Sequence, residues 1–96
     1  MLRVPKKSGL AFMIAFVQDY LDGKTDRLDW DLNFSHHLMD QYPKMERENA
    51  DAAECFNFYL AELGYDEGVG LPDDKHKLHI REQLESFNGA RRDGFC

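Results

Sequence analysis

Apolar residues along this chain recur every three or four positions and never alternate over a useful length, which predicts helices and no strand. Leu10, Met13, Ile14, Val17 and Leu21 form the first series, with Phe12, Phe16 and Tyr20 on the adjoining stripe. They predict a helix from about Ser8 to Leu21 that is apolar over much of its circumference and therefore central. Ser8 suits the N-cap, and Gly23 the position just past the end. Trp30, Phe34 and Leu38 lie four apart, with Leu28 and Leu32 beside them, and predict a second helix from about Asp26 to Gln41. Thr25 or Asp26 caps it, and Asp29 and Asp31 fall in its first turns, where the helix dipole favours negative charge. Pro43 follows, and pushes Tyr42 out of helical geometry.

Ala52, Phe56, Tyr59, Leu60 and Leu63 predict a third helix from about Asp51 to Leu63, capped by Asn49 and closed by Gly64. A loop from Gly64 to Pro72 is expected next. It holds Gly64, Gly68 and Gly70 and opens with Tyr65, Asp66 and Glu67. It is longer than most connections in helix bundles, which makes it a candidate functional loop. Leu78, Leu84 and Phe87, with Ile80 at the edge, predict a fourth helix from about Asp74 to Phe87, capped by Asp73 after Pro72. The fold class expected is all-α, a small antiparallel four-helix bundle in one domain over 1–96, with a core at about 8–88 and a fraying tail at 89–96.

Charge changes the picture more than composition does. The segment up to Gln18 carries +3 and the segment from Gly68 is neutral. Between Asp19 and Glu67 lie thirteen acids and four bases, a net −9 that accounts for the overall −6. The acids are interleaved with Trp30, Phe34, Tyr42, Phe56, Phe58, Tyr59 and Tyr65. Such a surface repels nucleic acid and suits a basic partner. Phe58 falls off the buried face of the third helix beside Asp51, Glu54 and Glu62, an aromatic rimmed by acids of the kind found at binding hot spots.

No apolar run approaches the roughly 20 residues of a membrane span. Leu10 to Val17 follows Arg3, Lys6 and Lys7, a faint signal-peptide pattern, but the run is short and has no small-residue cleavage site, so a core helix is expected. Cys55 and Cys96 form no CxxC and no regular framework, which predicts a reduced, cytoplasmic protein with Cys55 as a small core residue.

Catalytic and metal chemistry find little footing. His36 and His37 point about 100° apart on a helix, and His76 and His79 share a face but lack further ligands, so no metal is expected. Asp22, Asp26, Asp29 and Asp31 begin like a calcium loop, yet the glycine that pattern needs is missing and a helix follows. Neither Ser8, Ser35 nor Ser86 sits in a nucleophile elbow, and no phosphate-binding glycine loop is present. No catalytic residue and no cofactor are expected, and the chain is read as a non-enzyme.

The run from Met13 through Asp19-Tyr20-Leu21-Asp22-Gly23-Lys24-Thr25, followed by Trp30 and Phe34, resembles the opening of colicin-D-type immunity proteins. Ala53-Glu54-Cys55-Phe56, Ala61-Glu62 and the acidic turn at Asp66-Glu67 are similar to that family's third helix and acidic loop. The helix with Leu78, Ile80, Leu84 and Phe87 completes a layout covering about residues 13 to 87. The resemblance implies a four-helix antiparallel fold and an inhibitor of a cognate tRNA-cleaving toxin, which plugs the toxin's basic cleft with carboxylates where substrate phosphates would sit. It implies Glu62, Asp66 and Glu67 at the toxin's catalytic and tRNA-binding groups, with Tyr65 and Glu54 flanking them. Phe58 joins them as the aromatic anchor. The alternative is an acidic adaptor or regulatory domain that binds another basic protein.

Overall fold

The computed structural model describes residues 8–96; Arg3, Lys6 and Lys7 lie outside them. The described residues form helices and no strand. Helix α1 spans Gly9–Leu21, α2 Arg27–Glu48, α3 Ala50–Phe56 and α4 Asp73–Arg92. The chain does not leave helical geometry at Phe56. It widens into a π-wound stretch, Asn57–Asp66, whose end is marked by an amide bond from Glu67 back to the Glu62 carbonyl, five residues earlier.

Local chemistry sets the starts. The Ser8 hydroxyl accepts from the Ala11 amide, the Asp26 carboxylate from Asp29, and the Asn49 side chain from Ala52. Gly23, at φ 82°, ends α1: its amide bonds the Tyr20 carbonyl while Lys24 reaches back to Asp19. This paired closure needs a left-handed residue at that position.

Tertiary contacts move the ends. Helix α2 does not stop before Pro43 but runs through it to Glu48. Beyond the proline, Met45 is fully buried against Gly9, where an added Cβ would sit 3.0 Å from Met45 Cγ and 3.1 Å from the Gln41 carbonyl. Glu48 then accepts from the Gly9 amide at 3.0 and 3.1 Å and from the Ser8 hydroxyl at 3.0 Å. One acid thus satisfies orphan groups at the start of α1 and offsets the disruption a proline causes inside a helix. Burial raises the Glu48 carboxyl, but these hydrogen bonds outweigh it and hold the group below the usual range.

Gly64 does not close a helix. It is buried within the π-wound stretch, where a Cβ would meet the Tyr59 carbonyl at 3.2 Å and Ile80 Cδ1 at 3.4 Å, so its smallness lets α4 approach. The expected nine-residue loop shrinks to Val69–Pro72, because Tyr65, Asp66 and Glu67 are helical. Asp73 is the first residue of α4 rather than its cap, and α4 continues through Gly89 to Arg92. Its buried stripe is His76, Ile80, Leu84, Phe87 and Ala90, while Leu78 is 57% exposed. Leu84 and Phe87 face inward as expected, but at the start of the stripe His76 and Ile80 take the place expected for Leu78.

The two cysteines are joined: Cys55 and Cys96 form a disulfide with Cα atoms 6.0 Å apart. This overturns the expectation of free thiols. In the expected tail, α4 runs on to Arg92, and beyond Gly94, at φ 85°, the last residue is joined to Cys55 of α3.

One contiguous cluster fills the interior, led by Trp30, Tyr20, Phe34, Phe56 and Phe87. Trp30 and Phe34 stack at 4.7 Å and Phe16 lies 5.7 Å from Trp30. Met13 and Val17 are fully buried, so Leu10 to Val17 serves the core as expected. No helix among the described residues is long and apolar enough to cross a membrane.

Candidate interaction surface

The outer face of α3 and its π-wound continuation brings together most of the residues singled out in the sequence. Glu54, Phe58, Glu62 and Asp66 recur four apart, and all are exposed, as is Glu67 on the next turn. Phe58 is 46% exposed and its ring packs edge-on against Tyr59 at 5.1 Å. Asn57 donates to the Glu62 carboxylate at 3.2 Å. Three ion pairs form among the described residues, Lys24–Asp19, Arg27–Asp31 and Arg27–Asp73, and none uses an acid of this face.

Tyr65 is set apart from this row. It turns inward, stacks on Phe34 at 5.4 Å and donates its hydroxyl to the Asp31 carbonyl at 3.1 Å. It therefore locks the end of the π-wound stretch to α2. At the other end of that contact, burial first, and then the nearby Glu46 and Glu54 carboxylates, push the Tyr42 hydroxyl up. Glu54, at the start of the acidic row, therefore lies near the Tyr42 turn of α2.

The Val69–Pro72 connection is held by Arg27. Its guanidinium donates to the Leu71 carbonyl at 2.8 Å and the Val69 carbonyl at 3.0 Å, while pairing with Asp31 at 3.2 Å and Asp73 at 3.3 Å. Only 15% of that side chain is exposed. A planar, permanently charged fork suits such a multiple contact better than a lysine would. Next to it, Tyr20, Thr25, Arg27, Asp73, Lys77 and Arg81 line a cleft of about 640 Å³ with mixed charge.

The histidines at 76 and 79 have structural partners. His76 is buried, with Nδ1 2.7 Å from the Tyr20 hydroxyl and its ring edge-on to Trp30 at 5.8 Å. Burial, then the positive charge of Arg27, lowers its pKa to about 4, so it is neutral at pH 7. Burial likewise pushes the Tyr20 hydroxyl up, against the pull of Arg27. His79 Nε2 lies 2.6 Å from the Leu63 carbonyl. Both rings leave so little space at Gly68 that a Cβ there would sit 3.0 Å from His79 and 3.4 Å from His76. Among the described residues no group of three His, Cys, Asp or Glu side chains is placed to hold a metal ion.

The acids that began like a calcium loop are dispersed: Asp22 accepts from Gln18, Asp26 caps α2, Asp29 accepts from Asn33 and Asp31 pairs with Arg27. Two features escaped the sequence reading. The mooring role of Arg27 gave no signal, because Asp31 is its one local partner and the carbonyls it holds lie more than forty residues away. Leu28 and Leu32, placed beside the core stripe, are instead 65% and 68% exposed, and Met39 is 75% exposed. Leu28 and Trp30 are two residues apart and cannot share a helix face, which was the available clue.

No protein-family model matches the chain, and no curated protein or solved structure shows detectable similarity to it.

Proposed function

We propose that this chain is an inhibitory binding protein, an antiparallel four-helix bundle that neutralises a basic toxin domain, in the manner of colicin-D-type immunity proteins, by covering its cleft with the outer face of α3. One observation above all supports this. From Ala50 to Gly68 the chain carries five acids and no Lys or Arg, and the exposed members of that set form no ion pair within the described residues. Desolvating Glu62, Asp66 and Glu67 against an opposing basic cleft would return the Coulomb energy that water now screens. Phe58 would supply the apolar anchor, with Glu54 at the rim. Tyr65 would act from within, holding the face rigid through Phe34 and Asp31. Inhibition would be occlusion alone, without chemistry, metal or cofactor.

Neutralising a tRNA-cleaving domain places the action in the cytoplasm, where thiols stay reduced and the Cys55–Cys96 bond would open. Thiol titration of protein recovered from that compartment decides which state acts. The main test pairs the chain with the toxic domain encoded beside it. Co-expression restores growth, and association slows as salt rises. Glu62→Lys with Asp66→Lys weakens the complex by at least about tenfold, the order expected for rim and interface charges. Full protection by that double variant removes the acidic face from the inhibitory site. Binding to a basic protein without any toxic domain favours the adaptor alternative.

A further inference from the structure

Helix α2 carries two apolar stripes. The inner one, Trp30, Phe34, Leu38 and Met45, is buried in the core. The outer one is Leu28, Leu32 and Met39, whose spacing of four and seven residues sets them along one line of the helix. Single exposed leucines need no explanation, but an aligned apolar row on a water-facing helix does. Between Leu28 and Pro43 this helix holds Asp29, Asp31 and Asp40 and no Lys or Arg. Of these, Asp31 pairs with Arg27, and its carbonyl accepts from the Tyr65 hydroxyl at 3.1 Å. Leu28, Leu32 and Met39 are thus bordered by carboxylates of their own helix, with exposed Ser35 on the same line between Leu32 and Met39.

We infer that the Leu28–Leu32–Met39 face of α2 is a docking surface for an amphipathic helix of a partner protein, with apolar residues at three- and four-residue spacing and Lys or Arg on its flanks. Helix-in-groove recognition uses such spacing, and flanking charge sets orientation and partner choice. Charge selects this occupant. A second copy would bring another net −6 against the same acids, and an anionic membrane surface has the same sign. The inference goes beyond the proposed toxin contact, because it rests on α2 and holds whichever basic protein is the partner.

The test uses the full chain and two synthetic helical peptides. Both carry leucines at three- and four-residue spacing, one with Lys and Arg on its flanks and the other with Glu there. Amide shifts of the isotopically labelled protein are followed during titration. The basic peptide should saturate its shifts between Leu28 and Met39 and at Tyr65, and bind at least about tenfold tighter than its acidic twin. Leu28→Ser with Leu32→Ser should weaken it by about tenfold or more while leaving the circular-dichroism melt unchanged. The inference fails if neither peptide binds, if both bind equally, or if the double variant binds as tightly as the parent. It also fails if shifts stay confined to Glu54–Glu62 on α3 and the π-wound stretch, an outcome that leaves the proposed acidic face standing. A dimer in sedimentation that the double variant abolishes would make the stripe a self-interface and overturn it as well.

Discussion

The two apolar stripes of α2 share a helix and much the same residue types, yet they answer to different demands. The inner stripe is packed on all sides, with Trp30 and Phe34 at zero exposure. The outer stripe keeps about two thirds or more of its surface in water. Hydrophobicity alone therefore says little about where a side chain goes. What separates the stripes is registry with the other helices: Phe34 meets Tyr65 and Phe16, whereas no described residue closes over Leu32. An apolar residue that packs is explained by the fold, and one that does not asks for a partner.

The largest break in this comparison should come from the inner stripe. Phe34→Ala removes a stacked aromatic from a filled interior and should cost about 3–5 kcal/mol of unfolding free energy, read from chemical denaturation. A loss below about 1 kcal/mol would mean the core is looser than the packing implies. Next comes the crosslink that holds α3 and α4 around that core. Reducing Cys55–Cys96 releases a closure across 41 residues and should cost up to about 4 kcal/mol on chain-entropy grounds, seen as a lower melting temperature with reductant.

A smaller effect tests the polar end of the inner stripe. Above pH 6.5 His76 is neutral in both folded and unfolded chains and adds no pH dependence. Between pH 6.5 and about 4 the unfolded chain takes up a proton that the folded chain refuses, so stability falls as pH falls. The full loss is of the order of 3 kcal/mol, complete below the folded value. His76→Gln should flatten the slope of stability against pH over that window, and an unchanged slope would assign it to other groups. Smallest of all, Leu32→Ser with Met39→Ser should change stability by no more than about 0.5 kcal/mol, since neither side chain is packed. A large loss there would show the outer stripe to be structural after all.

What could be read from sequence divides along the same line. The caps at Ser8, Asp26 and Asn49 and the turn at Gly23 were legible because each depends on a side chain and a backbone within four residues. The continuation of α2 past Pro43 was not, because it rests on Met45 meeting Gly9 and Glu48 bonding Ser8 and Gly9, some forty positions away. Gly64 illustrates the ambiguity of its residue type: glycine serves equally as a helix stop and as a gap for a neighbouring helix, and here Ile80 settles the matter. Helix α4 misled for a chemical reason. Its stripe starts with a histidine, which enters the core only because Tyr20 supplies a hydrogen bond, so Leu78 looked like the better inward residue. For the candidate surface, the exposure of Glu54, Phe58 and Glu62 followed from periodicity, while Asp66 was expected in a loop and the inward turn of Tyr65 required knowing where α2 lies.

The Cys55–Cys96 bond also has a mechanical side. With the backbone from Cys55 to Cys96 it makes a covalent ring that contains the π-wound stretch, the connection moored by Arg27 and all of α4. In the oxidised state, a partner that grips Glu62 or Asp66 pulls on a hoop, and the load passes to α4 instead of peeling one helix end from the core; reduction opens the hoop. A face mounted in this way keeps its shape before contact, and little motional freedom is left for association to quench.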